Sequence, residues 1–101
     1  MFVTTDAVIF EVLAFFSRLG PELRTGAAAF MARVRASAAV QLVRISDDVM
    51  ESALALYADR PDQRYSLTDC ASMVVCRERR ITDVLTTDRD FRAEGFNTML
   101  S

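Results

Sequence analysis

The 101 residues are 51% hydrophobic with a net charge of -2. That suits one domain able to bury a core without staples, and it supplies no global positive field to draw nucleic acid. Histidine is absent, which excludes Ser/His and Cys/His nucleophilic machinery and every histidine-containing zinc site together.

Phe2 to Thr4 is short and apolar and reads as a strand. The run from Asp6 to Phe16 is too long for a strand and reads as a helix, capped by Thr5 or Asp6 and stopped by Gly20-Pro21. It is apolar nearly all round, as expected of a helix packed on a sheet and covered by neighbours, with Glu11 the exception. A second helix with a polar face covers Glu22 to Ser37. Gln41 to Ile45 alternates and is β-branched, which predicts a strand, and Ser46-Asp47-Asp48 opens a helix running to about Ala58. The charged turn Asp59 to Arg64 precedes a helix from Leu67 to about Arg79. Val84 to Thr87 is a short strand, Asp90 to Glu94 one helical turn, and Phe96 to Leu100 a closing strand after Gly95.

Strands alternating with helices predict an α/β fold, a three-layer sandwich with a mainly parallel sheet, in a single domain over 1–101. Phe15, Phe16, Phe30, Phe91 and Phe96 fall at core-like positions and are assigned to packing rather than base stacking. Cys70 and Cys76, six apart on one helix, stand roughly 9 Å apart by helical rise, too far for a disulfide. They read as small apolar residues in a reducing cytoplasm. No basic-then-apolar leader opens the chain, and no apolar run approaches the ~18 residues of a membrane span.

Three carboxylates stand out: Glu11 in an apolar helix, Asp69 beginning a helix, and Asp88 at a strand's end. In an open α/β sheet ligands gather outside the carboxyl ends of strands, and helices that start there bring first-turn residues alongside. Oxygen ligands suit Mg²⁺ or Mn²⁺, and hydrolysis assisted by such an ion needs no protein nucleophile. Each acid also has a structural reading. Glu11 could face solvent at a helix edge. Ser66-Leu67-Thr68-Asp69 matches a capping box with Asp69 at its third position, and Asp88 could be a turn former beside Arg89.

Arg60-Pro61-Asp62, Tyr65-Ser66-Leu67-Thr68-Asp69-Cys70-Ala71-Ser72, Arg77-Glu78-Arg79, Thr86-Thr87-Asp88, Phe91 and Gly95-Phe96 form a dense, ordered series. It resembles the latter half of bacterial VapC-like PIN domains. Val3-Thr4-Thr5-Asp6 through Glu11 resembles the family's strand, capped helix and second acid. The resemblance implies a Mg²⁺- or Mn²⁺-dependent endoribonuclease with Glu11, Asp69 and Asp88 as metal-site and catalytic acids. Thr68 and Ser72 would be supporting hydroxyls and Asp90 a weaker candidate. It also implies RNA as substrate, a cognate antitoxin that blocks the site, a homodimer, and a cytoplasmic location.

The family's first acid lies on an amino-terminal strand, in an apolar-apolar-x-Asp-Ser/Thr context followed by two helices. No counterpart occurs among the 101 residues. Asp6 is no substitute, because it belongs to the cap of the helix carrying Glu11 and follows a different strand. The expectation is therefore a PIN domain truncated at its amino terminus and impaired or inactive as this chain. The alternatives are a non-catalytic remnant that binds RNA or an antitoxin, and an unrelated protein-interaction module in which the acids are scattered. Arg77, Arg79 and Arg80 at a helix end, with Arg89 and Arg92 beside Asp88, offer a basic rim for RNA phosphates, or simply a solvated helix terminus.

Overall fold

A single hydroxyl sets where the first helix begins. The computed structural model describes residues 1–100, in which β1 (Phe2–Thr5) runs directly into α1 (Asp6–Phe16). Thr5 is 2% exposed, and its Oγ1 accepts the Val8 N–H at 3.3 Å. Thr5 is thus the N-cap. Asp6 instead uses Oδ1 to accept the N–H of Ile45 at 3.2 Å, tying the start of α1 to the chain just beyond β2 (Val40–Val43). Between them lies α2 (Pro21–Ala36). Gly20 turns into it with φ +99°, a region open to glycine, and Pro21 fills the first helical position, where no N–H is needed. β1 and β2 pair in parallel, Phe2 opposite Val40 through Thr5 opposite Val43, with the two helices as the crossover. These elements make one of two compact units, Met1–Ile45.

No side chain of α1 or α2 is buried. The expectation that α1 is covered all round is corrected, and so is the placement of Phe15 and Phe30 in a core: Phe10 is 73%, Phe15 66% and Phe30 51% exposed. α1 packs on α2, which is itself exposed along most of its length, Leu23 and Phe30 included. Phe16 is half-buried and meets Phe15 edge-on at 5.3 Å.

The second unit begins at Ser46. It holds α3 (Asp47–Asp59), α4 (Leu67–Glu78), β3 (Asp83–Val84), α5 (Asp90–Ala93) and β4 (Asn97–Thr98). Ser46 caps α3, accepting the Val49 N–H at 3.2 Å. Val49, Ala53 and Leu56 recur at helical spacing and bury against α4, which contributes Cys70, Ala71, Met73, Val74 and Val75. α4 ends in a Schellman turn: the Arg80 N–H reaches the Arg77 carbonyl and the Ile81 N–H the Cys76 carbonyl, with Arg80 at φ +57°. Phe91 and Phe96, each 6% exposed, meet at 6.0 Å across the turn made by Gly95 at φ +92°.

β3 and β4 pair in parallel, Asp83 with Asn97 and Val84 with Thr98. Both are shorter than the pattern predicts. The chain leaves the ladder after Val84 because the Thr86 N–H turns back to the Val84 carbonyl at 3.0 Å, which leaves Leu85 57% exposed. The fold is α/β with all pairing parallel, as the alternation of elements predicts.

Candidate metal site

Two short turns deliver Asp88. The Thr86 Oγ1 accepts the Asp88 N–H at 3.0 Å, and Asp88 Oδ1 accepts the Asp90 N–H at 2.9 Å. Both are local turns in which a side-chain oxygen accepts the N–H two residues on. They also fold Asp90, at the start of α5, back beside Asp88.

Asp69 reaches the same place from α4. The capping box is formed: Ser66 Oγ accepts the Asp69 N–H at 3.0 Å, and Asp69 Oδ2 accepts the Ser66 N–H at 3.0 Å. The capping and site readings of Asp69 are compatible, because a carboxylate has two oxygens and about four acceptor directions. Asp69, Asp88 and Asp90 each offer one carboxylate oxygen to a group in which all lie within 4.8 Å of one another, and all three are half-buried. Burial raises the Asp90 pKa above its ordinary value, as do the negative charges of Asp88 and Asp69, while Arg64 partly offsets them. Asp90 is thus as much a member of the group as Asp69 and Asp88. Thr68 and Ser72, also half-buried, lie one residue before and three after Asp69 on α4. Glu11 lies in the other unit, exposed on α1, and is not in this group.

The sequence reading missed Glu94, which caps the far end of α5. Its side chain is 5% exposed and takes four hydrogen bonds. Arg60 donates Nε to Oε2 at 2.9 Å and Nη2 to Oε1 at 3.3 Å, the Tyr65 hydroxyl donates to Oε2 at 3.1 Å, and Arg77 Nη2 donates to Oε1 at 2.9 Å. The Arg60 hydrogen bond holds the Glu94 pKa down at about 2 against its burial, with Arg77 and Tyr65 adding to the effect. The Tyr65 hydroxyl is pushed up to about 12, by burial first and then by its bond to Glu94.

Arg77 also lies over the Phe96 ring at 5.5 Å, so it is committed inside the unit rather than to a basic rim. Arg92 donates to Thr98 Oγ1 at 2.7 Å. Arg64 and Arg89 are exposed near the acids. Cys70 and Cys76 are free thiols whose pKa burial raises, as the reading of them as apolar packing residues expects. Among the described residues, no helix is long and apolar enough to cross a membrane.

The PIN-domain family model matches residues 1–96. Among solved structures, the chain is similar to the crystal structure of VapC20 from Mycobacterium tuberculosis, a toxin that cleaves the sarcin-ricin loop. The TM-score is 0.80 and the identity 27%, over 93% of this chain and 70% of that one. No curated protein sequence matches.

Proposed function

The chain belongs to the PIN-domain family and is VapC-like in structure, and from that premise we propose that it is an endoribonuclease of the toxin type whose divalent cation, Mg²⁺ or Mn²⁺, is held by carboxylates. The observation that carries this reading is the gathering of oxygens from Asp69, Asp88 and Asp90 within 4.8 Å. The donor set fits the ion. At a Mg–O distance of about 2.1 Å, octahedral ligand oxygens stand about 3 Å apart when adjacent and about 4 Å when opposite. An unrelated interaction module gives no reason for these acids to meet.

When bound, such an ion lowers the pKa of a coordinated water and neutralises charge building on the scissile phosphate. The residues of the chain prepare the place. Asp69 is oriented by the Ser66 N–H and Asp88 by the Asp90 N–H, so two carboxylates are fixed through one oxygen each. Thr68 and Ser72 are proposed as supporting hydroxyls. Arg64 and Arg89 are the cations placed to hold RNA phosphates beside the acids. Glu11 enters the proposal on its sequence match alone. Because the family's usual first acid has no counterpart in these 101 residues, they alone are expected to cleave slowly or not at all.

A cognate antitoxin and a homodimer belong to the same reading. The exposed rings of Phe10, Phe15 and Phe30 offer apolar area for protein contact. The free thiols suit a reducing cytoplasm. An assay on an RNA carrying a sarcin-ricin-type loop tests the activity: any cleavage should disappear with chelator and with Asp88→Ala. Cleavage that survives both would overturn the metal-dependent mechanism.

A further inference from the structure

Three anionic oxygens crowded within 4.8 Å repel one another when no cation lies between them. Something must hold their elements together. α5 is four residues long, too short to be stable by itself, and buries a single side chain, Phe91. Asp90 opens it and Glu94 caps its other end, so the two are one helical turn, about 6 Å, apart along the axis.

Glu94 connects that turn to the elements around it. Arg60 is the C-cap of α3, Tyr65 immediately precedes the α4 cap residue Ser66, and Arg77 is in the last turn of α4. The Arg77 guanidinium spans both the Glu94 carboxylate and, at 3.0 Å, its backbone carbonyl. The tie at Tyr65 is next to Ser66, the residue whose N–H holds the Asp69 carboxylate. Glu94 therefore acts at the two ends of α4 while offering no oxygen to the acidic group itself.

We propose that Glu94 is a positioning residue for the acidic site: by clamping α5 to both ends of α4, it holds Asp90 against Asp69 and Asp88 so that the ion-binding oxygens are assembled before a cation arrives. This rests on reading the three acids as the metal site. The attraction at one end of α5 opposes the repulsion at the other. Glu94 stays ionised across the neutral range, its pKa held at about 2, so the clamp is closed wherever the acids themselves are charged.

Mn²⁺ binding to the full chain, followed by titration calorimetry at a temperature where circular dichroism shows each variant folded, tests the role. Glu94→Gln keeps the size but turns an amide N–H₂ toward the arginines, and should weaken Mn²⁺ binding about tenfold or more, as is usual when an outer partner of a metal site is lost. Tyr65→Phe, which removes one of the four bonds, should give a smaller loss of the same sign and serves if Glu94→Gln does not fold. Leu56→Ala, destabilised through the core, should keep the affinity of the unchanged chain. Unaltered Mn²⁺ affinity in folded Glu94→Gln, or an equal loss in Leu56→Ala at matched stability, overturns the positioning role. If the unchanged chain binds no Mn²⁺, or Asp88→Asn binds it as well as the unchanged chain does, the site reading fails and the proposal with it.

Discussion

Asp88 accepts the backbone N–H of Asp90 at 2.9 Å, which draws two carboxylates of like charge into one turn. Asp90 bears the cost, since burial and its two acidic neighbours disfavour its ionised form. Asp90→Asn removes one of the repelling charges. Without metal it should stabilise the chain, by about 0.5 to 1 kcal/mol given the partial exposure of the group, while lowering Mn²⁺ affinity about tenfold or more. Thermal unfolding and calorimetry check the two signs. A loss of stability with unchanged affinity would assign Asp90 only to starting α5.

Asp69 serves the capping box and the acidic group at once, and two substitutions separate the roles. Asp69→Asn keeps an acceptor for the Ser66 N–H and should cost little stability but much of the divalent affinity. Asp69→Ala loses both, with the cap worth about 1 kcal/mol. Equal affinity in all three chains would leave Asp69 a capping residue alone.

Acid should uncouple the Glu94 clamp. The folded pKa, about 2, is depressed below the ordinary 4.5, so the contribution is fully present above about 4.5 and is lost as pH falls toward 2. At neutral pH Glu94→Gln should cost about 2 to 3 kcal/mol, since it leaves buried charge-assisted bonds unmade. In urea titrations the gap between the two chains should narrow through pH 4 and 3 and close near pH 2. A gap that stays constant with pH would show that the charge of Glu94 contributes nothing.

Arg80 closes the α4 Schellman turn at φ +57°, where a side chain is unfavourable and glycine is not. Arg80→Gly should raise stability by up to about 1 kcal/mol, visible as a higher unfolding midpoint. A drop would indicate that the arginine side chain supports the turn.

Element order was legible because the punctuation is local. Gly20-Pro21, the Ser46 cap and the Ser66 to Asp69 box each act within four residues, and the helices start within a residue of where these signals put them. Strand ends were not legible. Thr86 has strand propensity, but its N–H turns back to the Val84 carbonyl, and regular pairing stops at Val84. The exposure of Phe15 and Phe30 was hidden for another reason: an apolar pattern records what could be covered, not what covers it. Asp69 and Asp88 stood out by their places at a helix start and a strand end, and the family resemblance added the metal-site role. The closeness of Asp90 depended on a side-chain turn that sequence only suggests. Glu94 gave no signal, since its partners lie 17, 29 and 34 residues away.

Whether Asp69, Asp88 and Asp90 form a divalent-cation site is decided by calorimetric titration of the purified chain with Mn²⁺ beside the same titration of Asp88→Asn. The expected result is one saturable site per chain that is lost or weakened about tenfold or more in Asp88→Asn while its circular dichroism spectrum stays unchanged. Identical isotherms for the two chains, or no heat of binding in either, would contradict it.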